Sequence, residues 1–237
     1  RNLFFIVKHY KKYLPDSNII IVEQNTETDI NEIRNLVDIH LKIKMDEKLF
    51  CKSFLLNEGF NVRKNKYLIF ADTDCVVHKD ILQNINNNLE LLEKVVILPY
   101  NRPVINLNES QTKQLIQNYN FFNYGDLGLI RRACFSNGGV VLISAENYYN
   151  VGGHDPRFVG WGAEDDAFYL KAGAMLGVIR LNYDLLHLNH PKGAYDSTHN
   201  PFYKKNNAFY QEYLNQVDIP SIVDKIEFEF LLVCHWV

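Results

Sequence analysis

The stretch that decides the fold is Tyr67-Leu68-Ile69-Phe70-Ala71-Asp72-Thr73-Asp74. Its first residues form an apolar and aromatic run, which is the pattern of a buried strand, and two carboxylates follow directly. Ligands of open α/β sheets bind beyond the carboxyl ends of the strands, so Asp72 and Asp74 are placed to share a hard divalent cation. The alternative is a strand-end aspartate that caps the next helix.

The segments around this strand alternate between helical and strand patterns. Helical spacing of apolar residues over 3–10 ends at Pro15-Asp16-Ser17, and the β-branched run over 19–22 predicts a strand. Residues 39–45 alternate as a strand does, and Asp46 is placed to cap a helix that runs to about Phe60. Further helices are predicted over 81–92, 145–151 and 164–176, and further strands over 95–98, 139–144 and 178–186. This order predicts a doubly wound, Rossmann-like α/β fold with a mostly parallel central sheet flanked by helices.

The chain of 237 residues is predicted to form a single domain, because this length fits one large α/β unit. A helix that leads straight into a buried strand indicates that an earlier strand, the one that should feed this helix, is absent. The polar, Asn-rich residues 101–132 are expected to form a loop or insertion over a site. Residues 201–237 are expected to form a C-terminal tail, in which a helix rich in Tyr and Phe precedes a strand-like alternation over 226–230.

The composition excludes several classes of protein. With 47% hydrophobic and 22% charged residues, the chain fits neither a disordered nor a collagen-like protein. The formal net charge is -3, whereas a protein that binds nucleic acid non-specifically usually carries an excess of basic residues. The four cysteines include no CxxC pair, which favours free thiols in a reducing compartment. No apolar run approaches the roughly 20 residues of a membrane span and no secretory signal is recognisable, so the expected location is the cytoplasm or the inner face of a membrane.

Three further clusters could carry chemistry: a glycine pair, a glycine-rich turn followed by three acids, and a pair of histidines. Gly138 and Gly139 precede the strand predicted over 139–144 and either let a ligand approach the backbone closely or form a simple turn. The turn over 158–162 is rich in glycine and is followed by three acids, Glu164-Asp165-Asp166, at the start of a predicted helix. Sugars bind flat aromatic faces through their C–H surfaces while carboxylates take their hydroxyls, which favours a sugar site here.

Each of these residues also has a structural interpretation. Trp161, within the turn, could be a core aromatic instead of a sugar platform. Acids in a first helical turn interact with the helix dipole, which is the preferred interpretation of Asp166. His187 and His190 follow the strand predicted over 178–186, and a lone histidine is more often a core or surface residue than a ligand. Two imidazoles with an acidic cluster upstream favour a metal site.

Together these clusters resemble the GT-A fold glycosyltransferases. The likeness extends over roughly residues 19–192 and is strongest to the β-1,4-galactosyltransferases and the bacterial chondroitin-synthase-type transferases of families 7 and 2. Their C-terminal motif reads Gly-Trp-Gly-Gly-Glu-Asp, and here Ala163 replaces the third glycine. The matching motifs are Asp72-Thr73-Asp74, Asn137-Gly138-Gly139-Val140, Gly153-His154-Asp155, the run over 160–166, Val22-Glu23-Gln24 and the string over 55–60.

The resemblance implies a metal-dependent nucleotide site. Asp74 and His190 would hold Mn²⁺ or Mg²⁺ against the diphosphate, with His187 as a third ligand where galactosyltransferases carry methionine. The remaining nucleotide contacts would be Asp72 near the ribose, Glu23 and Gln24 near the uracil, and Lys52, where relatives carry arginine, near the nucleotide.

The resemblance also implies the residues that act on the sugars. Asp165 matches the catalytic base, which would remove the proton of the attacking hydroxyl, and Glu164 matches the acid that binds the acceptor. Gly138 and Gly139 would approach the donor sugar, and Trp161 would form the floor between donor and acceptor.

The expected function is therefore an inverting, UDP-sugar-dependent hexosyltransferase that glycosylates a hydroxyl of a glycan or glycoconjugate, as in polysaccharide biosynthesis. One alternative is a retaining GT-A transferase, because a related Trp-Gly-Gly-Glu motif occurs in retaining polypeptide N-acetylgalactosaminyltransferases. The other is a non-catalytic nucleotide-sugar- or glycan-binding module of a larger polymerase. The Glu164-Asp165 pair favours inversion, and a pure binding module has no need for a base. The sequence leaves the donor sugar, the acceptor and the oligomeric state open.

Overall fold

A computed structural model describes residues 1–47, 49–100, 104–117, 136–191, 193 and 198–216. The strands are β1 (Ile20–Gln24), β2 (Ile39–Ile43), β3 (Tyr67–Ala71), β4 (Cys75–Val76), β5 (Val96–Leu98), β6 (Val104–Asn106), β7 (Val140–Ser144), β8 (Val178–Arg180) and β9 (Leu185–His187). The α-helices are α1 (Asn2–Tyr13), α2 (Lys52–Asn61), α3 (Lys79–Asn84), α4 (Glu109–Gln117), α5 (Ala145–Asn150), α6 (Glu164–Leu176) and α7 (Tyr203–Gln216). Turns of 3-10 helix cover Asn31–Leu36 and Ile85–Glu93. This content confirms the predicted α/β class.

Within the described residues the strands form three sheets, in the orders β1-β2, β3-β7-β5-β8 and β4-β9-β6. The pairs β1–β2, β5–β8 and β6–β9 are parallel, whereas β3–β7, β5–β7 and β4–β9 are antiparallel. The sheets are thus mixed, and the prediction of a mostly parallel sheet was wrong in this respect. The physical reason is that β7 begins at the edge of the sheet where β3 ends and runs back alongside it. A parallel neighbour needs a connection, usually a helix, that returns the chain to the edge where β3 begins.

The helix expected to start near Asp46 begins at Lys52 instead. Gln24, at the end of β1, holds the intervening loop: its Nε2 donates to the carbonyls of Glu47 and Leu49, each at 2.8 Å. Its Oε1 accepts the backbone N–H of Cys51 at 2.8 Å. Because these bonds fix the backbone of the loop, the helix starts directly after it, and Asp46 does not cap α2.

Three other predictions are corrected in detail. The helix over 81–92 is divided into α3 and the 3-10 turns that follow it, where the Asn-rich sequence has a low helix propensity. The strand over 178–186 is divided into β8 and β9. Residues 104–117, expected in a loop, form β6 and α4, because β6 gains a parallel pairing with β9. The rest of that loop, over 101–103 and 118–132, and the strand predicted over 226–230 lie outside the described residues.

The core is centred on β7, which is buried along its whole length between β3 and β5. Leu142 and Ile143 are almost fully buried, as are Tyr148 of α5 and Phe168 of α6. Burial of each such side chain contributes about 1.5–3 kcal/mol relative to exposure. A smaller cluster that includes Val7 and Ile33 fastens α1 to the first 3-10 turn. The sheet that carries β3 and β7 is therefore a well-packed platform.

The string over 55–60 has a structural role in this fold. Asn57 of α2 donates from Nδ2 to the carbonyl of His154 at 2.8 Å, and its Oδ1 accepts the N–H of His154 at 3.0 Å and the hydroxyl of Tyr148 at 2.7 Å. A side chain at Gly153, where φ is +61°, would collide with Asn57. Gly59 lets α2 approach β1, since an added Cβ would lie 3.2 Å from Val22. The string over 55–60 thus joins α2 to β1 through Gly59, and to Tyr148 of α5 and His154 through Asn57.

None of the helices in the described part of the chain is both long enough and apolar enough to cross a membrane. Cys51 and Cys75 are buried free thiols, as predicted, while Cys134 and Cys234 lie outside the described ranges.

Candidate active site

The antiparallel pairing of β3 and β7 brings two motifs to one edge of the sheet. Ala71 pairs with Val140, so the first aspartate after β3 lies beside the glycine pair before β7. The backbone N–H of Asp72 donates to the carbonyl of Gly139 at 2.8 Å. Gly139 has φ +98°, which strains any other residue, and an added Cβ would lie only 3.0 Å from the Cys75 thiol. Glycine is therefore required at this contact.

Lys52 joins the carboxylates of two distant motifs. As the first residue of α2 it extends into the site, where its Nζ lies 3.0 Å from Asp72 Oδ2 and 2.9 Å from Asp165 Oδ2. The lysine side chain is only 15% exposed. Although burial favours the neutral amine, Asp165 and Asp72 raise the pKa of Lys52 well above its ordinary value. It is a fixed positive charge between the two aspartates.

The acids around Lys52 are not equivalent. Burial, reinforced by the neighbouring Asp165, raises the pKa of Glu164 to about 7, while Lys52 acts in the opposite direction. Glu164 Oε2 accepts the backbone N–H of Gly162 at 3.2 Å. At neutral pH this side chain is divided between its acid and its carboxylate, so it can both donate a hydrogen bond to a sugar hydroxyl and accept one from it.

Asp74 lies between two imidazoles. Its Oδ2 is 3.3 Å from His190 Nε2 and 3.6 Å from His187 Nε2. The chain is held in this arrangement because the N–H of Leu188 donates to the carbonyl of Asp74 at 2.7 Å. A carboxylate with two imidazoles is a donor set that a divalent transition metal accepts, so the three predicted ligands fit a metal ion. The structure brings all three together from β4 and β9.

Gly138 lets the backbone lie directly against Asp165. A Cβ at this position would stand 1.8 Å from Asp165 Oδ2 and 2.4 Å from its Cγ. The carbonyl of Gly138 in turn accepts the hydroxyl of the buried Tyr100. The segment before β7 thus forms one wall for the carboxylate of Asp165, and Lys52 holds it on another side.

The turn before α6 presents Trp161 to solvent. Its side chain is 47% exposed, which argues against the core-aromatic alternative, and its ring stacks on Tyr203 at a centroid distance of 5.9 Å and an interplanar angle of 13°. Gly160, Gly162 and Ala163 all have left-handed φ, and Ala163 at +65° is the strained member because it carries a Cβ. Such a turn needs support from outside.

That support comes from the region around α7, which sequence reasoning left without a role. Asn200 Nδ2 donates to the carbonyls of Val159 and Trp161, at 2.9 and 2.8 Å. The fully buried Asn206 donates to the Val159 carbonyl at 3.0 Å and accepts the Val159 N–H at 3.3 Å. Two asparagines and one tyrosine from this region therefore hold the turn that carries Trp161.

A network behind the site explains the third acid of the motif. Asp166 Oδ1 accepts Asn137 Nδ2 at 2.7 Å, and the buried Arg180 donates to the Asn137 side chain and, at 3.2 Å, to the carbonyl of Ser136. Asp166 is thus engaged in fixing the segment before Gly138, as the structural interpretation of this residue expects. Arg180 and Tyr100 were missed, because single buried polar residues in strand patterns carry no local signal of the partner they meet.

The residues predicted near the uracil lie at the end of β1. Glu23 accepts hydrogen bonds from the hydroxyls of Thr26 and Thr28, at 2.8 and 2.6 Å, and pairs with His40 at 2.9 Å. Burial raises its pKa, but the bonds from Thr28 and Thr26 outweigh that effect and lower it. Gln24 holds the loop into α2, as described above. Gln24 thus organises the backbone beside Lys52, whereas Glu23 organises the turn that follows β1.

The predicted site residues other than Glu23 and Gln24 all line one cavity of about 1420 Å³. Its lining includes apolar residues of β1 and β3 and ten predicted site residues: Lys52, Asp72, Asp74, Gly138, Gly139, Trp161, Glu164, Asp165, His187 and His190. Three of the predicted acids (Asp72, Glu164 and Asp165), both predicted glycines, the tryptophan, the lysine and the three predicted metal ligands thus reach one volume. A cation, an anion held by it and a sugar ring are compatible with this combination of groups.

Comparison with solved structures finds the same fold in glycosyltransferases. GalNAc-T7 with UDP, GalNAc and Mn²⁺ superposes with a TM-score of 0.57 at 15% identity over 90% of this chain and 46% of that one. Residues 1–349 of S. aureus TarS in complex with UDP-GlcNAc superpose with a TM-score of 0.60 at 12% identity over 92% of this chain and 65% of that one. The chain thus spans less than two thirds of either structure. A β-1,4-galactosyltransferase 7 from Drosophila, solved with manganese, UDP-Gal and xylobiose, has a TM-score of 0.42 at 16% identity over 69% of this chain and 65% of that one.

No curated protein matches the chain in sequence. The sequence profile of the family described as "Glycosyltransferase like family 2" matches residues 5–215, which is most of the chain. The chain therefore belongs to the glycosyltransferase family 2-like proteins, and its fold is GT-A.

Proposed function

We propose that this chain is a metal-dependent, inverting glycosyltransferase that moves a hexose or N-acetylhexosamine from a UDP-sugar to a hydroxyl of a glycan acceptor. One observation carries the proposal. Lys52 bridges Asp72 and Asp165, and so fixes a donor-side and an acceptor-side carboxylate in the same cavity as the cluster of Asp74, His187 and His190. A site that only binds a nucleotide has no use for the second carboxylate.

In this proposal the donor lies against the edge where β3 ends and β7 begins. Asp74 and His190, with His187 as a further ligand, would hold Mn²⁺ or Mg²⁺, which supplies positive charge to the departing diphosphate. Asp72 binds the ribose. Gly138 and Gly139 present backbone to the donor sugar, since neither carries a Cβ.

The remaining donor contacts are assigned by position. Glu23 and Gln24 are assigned to the uracil end, and Gln24 holds the backbone that precedes Lys52. The ammonium group of Lys52 lies within reach of a nucleotide bound beside Asp72, because it already contacts that carboxylate at 3.0 Å.

The acceptor occupies the other side of the cavity. Trp161 offers an exposed ring to the apolar face of a sugar, and Glu164 hydrogen-bonds an acceptor hydroxyl. Lys52 engages Oδ2 of Asp165 at 2.9 Å, which leaves Oδ1 as the oxygen that we assign to the attacking hydroxyl. Two fixed groups, Lys52 and the backbone of Gly138, therefore set the direction of this carboxylate.

The chemical step is a single displacement. The acceptor oxygen forms a bond to the anomeric carbon while the bond from that carbon to the β-phosphate oxygen breaks, and UDP leaves with the electron pair. Asp165 takes the proton of the acceptor hydroxyl. Attack opposite the leaving group inverts the anomeric centre, and a base of this kind contributes about 10²–10⁴-fold to the rate.

The test compares Asp165→Asn with Asp166→Asn, its neighbour in the same helix, in UDP release from a panel of UDP-sugars and acceptors. The Asp165→Asn variant should lose about 10²–10⁴-fold in turnover while binding UDP with unchanged affinity. Asp166→Asn should lose far less, because Asp166 contacts Asn137 rather than the reacting groups. Full turnover by Asp165→Asn would refute the assignment of the base. Tight UDP-sugar binding without turnover by the wild type would favour a binding module.

A further inference from the structure

Cys75 adds sulfur to the donor atoms around Asp74. The residue follows Asp74 directly, its side chain is 3% exposed, and its Sγ lies 3.5 Å from Asp74 Oδ1. In the antiparallel pair of β4 and β9, Cys75 stands directly opposite His187. Directly opposite residues present their side chains on the same face of a sheet. One ligand atom from each of Asp74, Cys75 and His187 lies within 4.8 Å of the others.

The spacing of these atoms fits a tetrahedral cation. With metal–sulfur bonds near 2.3 Å and metal–nitrogen or metal–oxygen bonds near 2.0 Å, the edges of such a tetrahedron measure about 3.3–3.5 Å. The distances from Asp74 to Cys75, His187 and His190 are 3.5, 3.6 and 3.3 Å. Oδ1 lies toward the thiol and Oδ2 toward the imidazoles, and the mutually close ligand atoms are those of Asp74, Cys75 and His187.

The chemistry of the donor set distinguishes two classes of cation. Carboxylate and water suit Mg²⁺ and Mn²⁺, whereas thiolate and imidazole suit Zn²⁺ and, by its similar geometry, Co²⁺. A hard cation gains too little from sulfur to bind it in place of oxygen, whereas a thiophilic cation gains a strong bond from it.

We propose that Cys75 is a further ligand of this site for thiophilic cations, which coordinates Zn²⁺ or Co²⁺ together with Asp74 and His187 and does not coordinate Mn²⁺ or Mg²⁺. The thiol proton is released to solvent when sulfur coordinates. A thiophilic cation bound through sulfur shares Asp74 and His187 with the hard cation and should therefore compete with Mn²⁺. Only this last consequence rests on the proposed transferase function.

The experiment is a Co²⁺ titration of the purified chain, followed by near-ultraviolet absorption, which reports sulfur-to-cobalt charge transfer and is independent of activity. Wild type and Cys75→Ser are compared with Cys51→Ser, a matched control because Cys51 is equally buried and free. We expect the band in the wild type and in Cys51→Ser, and its loss in Cys75→Ser. Loss of an outer partner of a metal ligand already costs roughly 10–100-fold in affinity, so loss of the ligand itself should weaken Co²⁺ binding at least as much.

Mn²⁺ binding, measured by water-proton relaxation, shows whether the Cys75→Ser site is folded and separates the two proposals. Cobalt bound without a charge-transfer band in the wild type, or a band that persists in Cys75→Ser, would overturn the role of Cys75 even if Mn²⁺-dependent UDP binding is intact. The absence of Mn²⁺-dependent UDP binding would count against the proposed function while leaving a cobalt–sulfur band, if present, as support for the cysteine ligand.

Discussion

Gly138→Ala should inactivate the enzyme without unfolding it. The added Cβ would stand 1.8 Å from Asp165 Oδ2, 2.4 Å from Cγ and 2.9 Å from Cβ of the same residue. Non-bonded carbon and oxygen atoms keep roughly 3 Å or more apart, so the carboxylate must move by about 1 Å or more. It must then leave its contact with Lys52, which now measures 2.9 Å. A displacement of about 1 Å in a reacting group can cost about 10²-fold in rate.

The cost in stability should be smaller. The two shortest contacts, to Oδ2 and Cγ, involve the end of a side chain that can rotate, and the contact to Cβ at 2.9 Å needs only a small shift. Gly138 is not among the glycines with positive φ, so alanine fits the backbone there. We expect a loss of about 1–2 kcal/mol in the free energy of unfolding, chiefly from the weakened ion pair. UDP, which lacks the sugar, should bind with nearly unchanged affinity.

The assay measures turnover, UDP affinity and urea unfolding for Gly138→Ala and for Gly152→Ala. Gly152 is the control because an added Cβ there would meet no atom within 4 Å, although its φ of +75° imposes backbone strain. The control should lose stability but retain its turnover. If Gly138→Ala kept wild-type turnover, the position that we assign to the base would be refuted.

Four further predictions follow from the contacts of the site. Lys52→Met should lower the free energy of unfolding, measured by urea titration, by about 2–3 kcal/mol at pH 8. The loss should be smaller at pH 5, where protonation of the acids around Lys52 reduces the repulsion between them. Lys52→Arg should recover most of the loss. Glu164, with its pKa raised from 4.5 to about 7, binds more protons in the folded state than in the unfolded state across that interval. Its contribution to stability therefore falls as pH rises from 4.5 to 7, and Glu164→Gln should flatten this part of the stability profile. Ala163→Gly should relieve the left-handed strain and raise Tm by roughly 1–3 °C in a thermal scan. Asn206→Ala should leave the N–H of Val159 without its buried acceptor, while the Val159 carbonyl keeps the bond from Asn200. The variant should lose about 1–3 kcal/mol in urea unfolding and raise the acceptor KM more than the donor KM.

The parts of the fold that sequence reasoning predicted well are those with a local cause. Helix α6 has the predicted bounds, since its acidic first turn and the glycine at its end are local signals. β3 was located because a short apolar run ends at two charged residues. The predicted ligands Asp74, His187 and His190 do meet, because β4 begins directly after Asp74 and pairs antiparallel with β9, which ends at His187.

The missed parts depend on contacts between distant segments. Asn200 and Asn206 lie 39 to 47 residues from the carbonyls that they bind, and nothing in their neighbourhood distinguishes them from surface asparagines. The start of α2 was misplaced because Gln24, from another strand, decides where the loop ends. The antiparallel insertion of β7 has the same origin, as apolar runs of five residues carry no information on strand direction.

The central claim is that Asp74 and a divalent cation together form the donor site. Calorimetric titration of UDP into the purified chain, with and without Mn²⁺ and repeated on Asp74→Ala, tests this claim most directly. We expect binding by the wild type in the presence of Mn²⁺, and a loss of that binding when either the metal or the Asp74 carboxylate is removed. UDP binding of equal strength in all four titrations would contradict the account.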